Sequence, residues 1–553
     1  MTVLTLNRKE LEKKVGKIDK TMQEKIIMMG FTIEDINENE ISIEVYPNRP
    51  DVLSMSGFSR TLLSYLGKKK PSEFKVHKPE KDYEVKIDKS IDKVKPYMNL
   101  NDSSKLRTCC AIVKNLKFDD EKIKEIIDIQ EKLHLTLGRK RKKLAIGIYP
   151  LEQIKLPITF CAKKPNDIKF LPLESAREMT GLQILSGHPK GREYAPLLEG
   201  QDYFPLFIDG NGEVLSMPPI INSHKTGKIS SSTKEVFIEC SGFNVEYLKK
   251  TINIIVCALS DMGGEIYQMK LNDGKNSVLS PNLENQEMKF KIEDVNKTLG
   301  LDLKEIEVKK LLEKMGFGYE KEKAIVPPYR TDILHWIDLT EEIGIAYGYD
   351  NFIAEIPQIS TIAKEDGFSV FKRTVSEILI GLGLAEVSSY HLTNKEEIVK
   401  VHPNFKNFIE VEESKTEYSV LRPDLLSNTM KIFYQNSDSA YPQRIFEIGR
   451  VFAKDEKSET GISEKERLSI ALINENANYT ELKQILDYLF RMLGKEYHIE
   501  NSSGDSYIEG RCGKIISEGK EIGLIGEISP EVLKNCKIKM PTVALEIDLW
   551  DFN

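Results

Sequence analysis

A single hydrophobic core stops growing at about 250–300 residues, so larger chains divide. This chain has 553 residues, which sets an expectation of roughly three to five domains. Apolar residues make up 40% and charged residues 30%, a globular balance that excludes wholesale disorder. No run approaches the roughly 18 consecutive apolar residues of a membrane helix. The opening MTVLTLNRKELEKKVG is charged and lacks the apolar centre of a signal peptide. A cytoplasmic protein without a membrane span is therefore expected. The cysteine count is odd, seven, with no C-x-x-C pair, which fits reduced thiols better than disulfides or a zinc ribbon. The net charge of -7 does not suit non-specific coating of nucleic acid. A nucleic-acid partner would have to meet a local basic patch.

Four segments follow from patterning. In residues 1–70, Ile41, Ile43 and Val45 alternate with polar residues as in a half-buried strand. YPNRPD (46–51) supplies a turn, and Leu53, Phe58, Leu62, Leu63 and Leu66 recur at helical spacing before Gly67. Residues 68–80, rich in Lys and Pro, read as a linker. Residues 81–272 alternate strand-like runs (CCAIVKNL, KLAIGIYP, EVFIECSG) with helical ones. Ile123, Ile126, Ile127 and Gln130 are expected on one helix face, and Gly263 and Gly264 follow a closing helix. Residues 275–352 place Val308, Leu311, Leu312 and Met315 on a helix ended by Gly316, with a second helix near Asp338. Two helices with a strand between suit a small winged-helix-like module. Residues 353–553 begin with a helix striped by Phe371, Val375, Ile378, Leu379 and Leu382, followed by four strand-like runs. An antiparallel sheet flanked by helices fits that order. The expected class is α+β and multidomain.

Three groups of residues carry possible chemistry. Asp338, Glu341 and Glu342 share a helix face, and Asp332 precedes them. Crowded carboxylates invite a hard cation, while acids at a helix start also serve as caps. The run GRKRKK contains Arg139, Lys140, Arg141, Lys142 and Lys143, which either meets phosphates or is simply solvated. Glu239 and Ser241, at i and i+2, lie on one side of a strand, and Ser216 and Asn222 bracket MPPII. These residues form either a pocket or a loop beside a strand. His134, His188 and His224 are scattered, and HPKG (188–191) is a turn by composition. No G-x-S-x-G, H-E-x-x-H, P-loop or Rossmann fingerprint occurs.

The order of YPNRPD, GRKRKK, MPPIIN, DILHWIDLTEE (332–342) and FEIGRVF (446–452) resembles that of phenylalanyl-tRNA synthetase beta subunits of the archaeal and eukaryotic type. The resemblance covers essentially the whole chain. It implies an N-terminal domain (1–70), a tRNA-editing domain (81–272), a small magnesium-binding domain (275–352) and a class II synthetase-like module (353–553). It also implies an assembly of two alpha and two beta subunits that joins phenylalanine to tRNA(Phe) with ATP, the aminoacylation site lying in the alpha subunit. On that basis Arg450 of FEIGRVF is not catalytic, and helix 368–383 helps build the subunit interface. The resemblance assigns Mg²⁺ to Asp332, Asp338, Glu341 and Glu342. It assigns hydrolysis of mischarged Tyr-tRNA(Phe) to Ser216, Asn222, Glu239 and Ser241, with GRKRKK as a tRNA contact. The sequence departs from the family where Glu239-Cys240-Ser241-Gly242 replaces Asp-x-Thr-Gly, and in an extra stretch, MNLNDSSKL (98–106). The alternative implied by the first departure is a structural, tRNA-binding subunit with an inactive pocket.

Overall fold

The computed structural model describes residues 2–94, 107–356, 363–412, 414 and 416–549. The stretch 98–106 lies outside them. The chain forms two compact units, Met1–Glu355 and Ile356–Asn553, and each is mixed α and β with several sheets.

The first unit opens with a small antiparallel sheet in the order Thr2–Asn7, Glu40–Val45, Thr32–Ile36. Ile41, Ile43 and Val45 point into the core as the alternation requires. The helix Met55–Tyr65 packs behind it, and Gly67 follows with φ +69°. Residues 68–80 do more than link. Val76–His77 adds a parallel strand beside Glu265–Asn272, and Phe74 meets Tyr329 edge-on at 5.8 Å. Lysines and prolines flanking a two-residue strand hid its pairing.

An eleven-stranded sheet dominates this unit. Nine strands run in the order Ile221–Asn222, Val214–Met217, Phe204–Ile208, Ile158–Lys163, Glu84–Ile87, Glu265–Asn272, Thr108–Lys114, Val236–Gly242, Leu144–Pro150, and Val76–His77 and Ser277–Ser280 pair with Glu265–Asn272 off that path. The helices Asp120–Leu135 and Val245–Asp261 cover one face, where Ile126, Ile129, Leu133, Leu248 and Ile252 meet Ala111, Ile146 and Ile238. Removing one such side chain, as in Ile252→Ala, costs about 2–5 kcal/mol. On the other face Ile112, Tyr149 and Phe237 pack with Val85, Phe160 and Phe207. Because these come from both halves of the path, the sheet curls over itself and brings its two ends together.

Residues 286–349 add helices Ile292–Leu299, Glu305–Lys314 and Trp336–Tyr347 to a three-stranded sheet of Gln286–Lys289, Lys323–Val326 and Gly318–Glu320. Val308, Leu312 and Met315 are buried as their spacing predicts.

The second unit is a seven-stranded sheet in the order Ala385–Glu386, Gln443–Lys454, Ile462–Ile473, Thr542–Asp548, Lys520–Ile528, Tyr507–Ser517, His498–Ser502. It is antiparallel except for the first, two-residue pairing. Helices Gly367–Gly381 and Tyr479–Leu493 pack on one face through Val375, Leu379, Leu482 and Leu486. Helices Leu426–Gln435 and Pro530–Asn535 pack on the other through Met430, Phe433 and Val532. FEIGRVF lies in the long strand Gln443–Lys454, with Phe446 facing the first helix pair.

Candidate functional site

Where the curled sheet closes on itself it leaves a cleft of about 650 Å³. Its floor is built by cross-strand register. Glu239 lies on the central strand Val236–Gly242, opposite Gly147 on one side and Cys110 on the other. Ser241 lies two residues on, on the same face. Ser216 and Asn222 are themselves a directly opposed pair, joined by the hairpin through Pro218 and Pro219. The structure brings Ser216, Asn222 and Glu239 to one cleft. Ser241 lies beside them, also fully buried.

Tyr149 ties the two sheet ends together. Its hydroxyl lies 3.2 Å from Glu239 Oε1 and 3.4 Å from Asn222 Oδ1. Gly147 permits this, since a Cβ there would lie 2.0 Å from the Tyr149 hydroxyl and 2.6 Å from Glu239 Oε1. Glu239 is only 1% exposed. Burial pushes its carboxyl up to about 8, against the opposing hydroxyls of Tyr149, Ser241 and Ser216. At neutral pH it is mainly protonated. Glu239 Oε2 and the hydroxyls of Ser216 and Ser241 are buried without a hydrogen bond of ordinary geometry, although both hydroxyls lie close enough to favour the ionised Glu239. Buried polar groups are normally satisfied, so this trio is ready for a ligand that both donates and accepts hydrogen bonds.

The cleft wall collects residues the sequence showed only as scattered. Ile123, Ile126, Ile127 and Gln130 all line it, so the residues expected on one helix face do share one, and it turns to the cleft. The core takes Ile126, Ile129 and Leu133. His134, His188 and His224 all line the same cleft. His134 Nε2 accepts from the Ile146 N–H at 2.8 Å, which leaves its Nδ1–H toward Glu131 Oε1 at 3.4 Å. Burial lowers the His134 pKa, so the ring is neutral. His188 is no turn residue. It caps the helix Pro189–Tyr194, taking the Lys190 N–H on Nδ1 and facing the Leu173 carbonyl with Nε2.

The basic run divides. Arg139, Lys140 and Arg141 take φ values of +45°, +56° and +64° in succession, a conformation disfavoured for L-residues. Backbone bonds from Arg141 N to the His134 carbonyl and from Lys143 N to the Gly138 carbonyl hold the turn. Arg141 points inward, donating to Glu131 at 2.9 Å and to the carbonyls of Pro219 and Ile220. With His134 first and Arg141 second, Glu131 is held down to about 2. Lys143 lies over Phe243 at 5.5 Å. Arg139, Lys140 and Lys142 stay exposed.

The acidic run is arranged otherwise. Arg330, almost fully buried, donates to both oxygens of Asp332 at 3.0 and 2.7 Å and to both of Glu342 at 3.1 and 2.6 Å. Burial raises the Asp332 carboxyl, but attraction from Arg330 and then Arg49 outweighs it and the group sits below its usual range. Asp338 Oδ2 accepts the Leu334 and His335 N–H groups, both at 2.7 Å, and so caps the helix start. Glu341 is exposed. A divalent cation needs several free oxygens converging on one point. Among the described residues no group of three or more His, Cys, Asp or Glu side chains is gathered to hold a metal ion. An internal guanidinium thus answers two of the four acids and a third caps the helix, so the four side chains do not converge on one point as they stand.

In the second unit, Arg422 and Glu447 form a buried pair at 2.7 Å, and Arg450 is held by Glu464 and Glu466 across the hairpin.

Two family models match this chain. Residues 354–549 match the phenylalanyl tRNA synthetase beta chain CLM domain, and residues 288–349 match the tRNA synthetase B5 domain. A phenylalanine–tRNA ligase beta subunit of Thermococcus sibiricus is 36% identical, over 98% of this chain and 97% of its own. That of Archaeoglobus fulgidus is 35% identical over 100% and 99%. The chain belongs to the phenylalanine–tRNA ligase beta-subunit family. The crystal structure of an N-terminal fragment of the Pyrococcus horikoshii phenylalanyl-tRNA synthetase beta subunit matches with a TM-score of 0.58 and 32% identity. The match covers 63% of this chain and 99% of the fragment.

Proposed function

We propose that this chain is the beta subunit of a phenylalanine–tRNA ligase, and that its curled sheet carries a site that hydrolyses Tyr-tRNA(Phe). Family membership over essentially the full length supports the first part. The complex with its alpha subunit, two of each, uses ATP and Mg²⁺ to attach phenylalanine. Residues 1–70, 81–272, 275–352 and 353–553 serve as N-terminal, editing, small B5-type and synthetase-like domains. In this reading the cell compartment is the cytoplasm, where translation occurs. No helix among the described residues is long and apolar enough to cross a membrane.

The observation that carries the editing reading is that Glu239 Oε2 and Ser216 Oγ in the cleft floor, and Ser241 Oγ beside it, are buried without a hydrogen bond of ordinary geometry. A pocket shaped for phenylalanine rejects tyrosine poorly, by roughly 100-fold in comparable cases, whereas a pocket with unpaired polar groups rejects the ligand lacking a hydroxyl by about 10⁴ or more. A second site of that kind takes tyrosine and leaves phenylalanine alone. Glu239, one methylene longer than Asp, is still accommodated because Gly147 leaves room. Arg139, Lys140 and Lys142, exposed beside the cleft-lining Arg141, suit the phosphates of the tRNA acceptor end.

The test is deacylation of Tyr-tRNA(Phe) by the chain assembled with its alpha subunit, with Phe-tRNA(Phe) as control. Selective loss of tyrosine is expected. Loss no faster than in buffer, from a complex that still charges phenylalanine, would make this chain a scaffold and tRNA binder with an inactive pocket.

A further inference from the structure

The candidate site residues read from the sequence omit Tyr149, yet it touches two of them. It is fully buried, stacked on Phe237 at 5.8 Å between ring centres. Its single O–H faces two acceptors, Glu239 Oε1 and Asn222 Oδ1, at 3.2 and 3.4 Å. The opposite carboxyl oxygen of Glu239 makes no hydrogen bond of ordinary geometry, nor do the hydroxyls of Ser216 and Ser241 close to it. The glycine facing Glu239 across the strand pair is what lets the phenol reach in.

We propose that Tyr149 is a specificity-setting positioning residue: its hydroxyl occupies Glu239 Oε1 and orients Asn222, so that only Glu239 Oε2, with Ser216 and Ser241, receives a hydroxyl on the ring of an esterified aromatic amino acid. The proposal rests on the editing reading. Without the phenol, Glu239 is free to rotate and satisfy its own second oxygen against Ser216 or Ser241. The floor then no longer penalises a ring that lacks a hydroxyl. Tyr149 itself needs no proton transfer, since burial and the adjacent Glu239 hold its phenol well above the usual range. The other titratable groups around Glu239 are Cys110 on the neighbouring strand and Cys240 beside it, both pushed well above the usual thiol range by burial. Among the described residues no ion pair to Glu239 is formed, so Tyr149 is its chief polar contact.

The experiment uses the full chain with its alpha subunit and two non-hydrolysable probes, tyrosylamino- and phenylalanylamino-deoxyadenosine, in which an amide replaces the ester. Wild type is expected to prefer the tyrosyl probe. Tyr149→Phe is expected to lose about tenfold or more of that preference, and Gly147→Ala, which crowds the phenol out, to lose a similar amount. The pH midpoint of Tyr-tRNA deacylation is expected to rise in Tyr149→Phe, since the lost hydroxyl is one that lowers the Glu239 pKa. A merely structural role would not move that midpoint. Wild-type preference and midpoint retained in Tyr149→Phe would overturn the proposal, as would a wild type that does not distinguish the probes. A wild type that distinguishes them but leaves Tyr-tRNA intact would overturn the editing reading while the assignment of Tyr149 stands.

Discussion

Glu239 costs the fold stability at neutral pH. In the unfolded chain its carboxyl titrates near 4.5, and in the folded protein at about 8. A raised acid is neutral in both states at low pH. As pH climbs past 4.5 only the unfolded form ionises, so stability falls steadily until about pH 8 and then levels off. At pH 7 the cost is about 3 kcal/mol, at 1.36 kcal/mol per pH unit. Glu239→Gln, neutral at every pH, is expected to unfold at higher denaturant than wild type at pH 7 and to match it near pH 4.5. Urea titrations at both values check this, and a variant less stable at pH 7 would refute it. The pairing of Glu239 with Ser241 was legible from their spacing, because a strand puts i and i+2 on one face. The contact of Glu239 with Tyr149 was not. Cross-strand register joins residues ninety positions apart, and AIGIYP reads as an ordinary apolar strand. The one available signal was a glycine within that run, which in a strand marks a close approach.

At the scale of elements, charge runs were easy to find and hard to interpret. GRKRKK reads as one basic patch, yet the left-handed turn at Arg139–Arg141 sends Arg141 inward to Glu131 and leaves Arg139 and Lys140 outside. The double variant Arg139→Ala, Lys140→Ala is expected to weaken tRNA binding about equally for cognate and other tRNAs. It should also lower the slope of log affinity against log salt by about 1.4–1.8, since each phosphate contact contributes about 0.7–0.9. An unchanged slope, measured by filter binding across salt, would remove this turn from the interface. The acids of DILHWIDLTEE invite a cation from outside only while Arg330, two residues upstream of Asp332, is overlooked. Arg330→Met is expected to destabilise the first unit by about 3–5 kcal/mol, leaving Asp332 and Glu342 buried without their hydrogen-bonded cation and with only the more distant Arg49. Adding Asp332→Asn and Glu342→Gln should recover much of the loss. Thermal melts of the single and triple variants decide it. If the triple variant melts no higher than the single, charge compensation is not what Arg330 supplies. Helix existence and its apolar stripes were legible at 304–315 and 371–382, where one face meets one core. At Asp120–Leu135 the expected face was also legible, but not that it lines a cleft while the adjacent face, through Ile126, Ile129 and Leu133, meets the core.

For the whole molecule, the surface of the second unit bears on assembly. Helix Gly367–Gly381 fully buries only Val375 and Leu379, while Ile380 remains 53% and Val370 38% exposed. The sheet edge next to it, Ala385–Glu386, pairs on one side only and is exposed. Beyond the edge Tyr390 is 89% exposed. An open edge beside apolar side chains is a surface that a partner covers. The alpha subunit of the ligase is the partner that family membership suggests. Ile380→Glu places a charge on that face without touching the buried stripe, so the melting temperature of the chain alone should hardly change. Its affinity for the alpha subunit is expected to fall at least tenfold, about 1.4 kcal/mol, because an unpaired carboxylate would have to be desolvated on docking. Val399, 39% exposed on the helix Lys395–Val401, offers a matched control, and Val399→Glu should assemble as wild type does. Sedimentation of the mixed subunits reads both. If Ile380→Glu assembles normally, or both variants fail alike, the alpha subunit does not dock through this helix face.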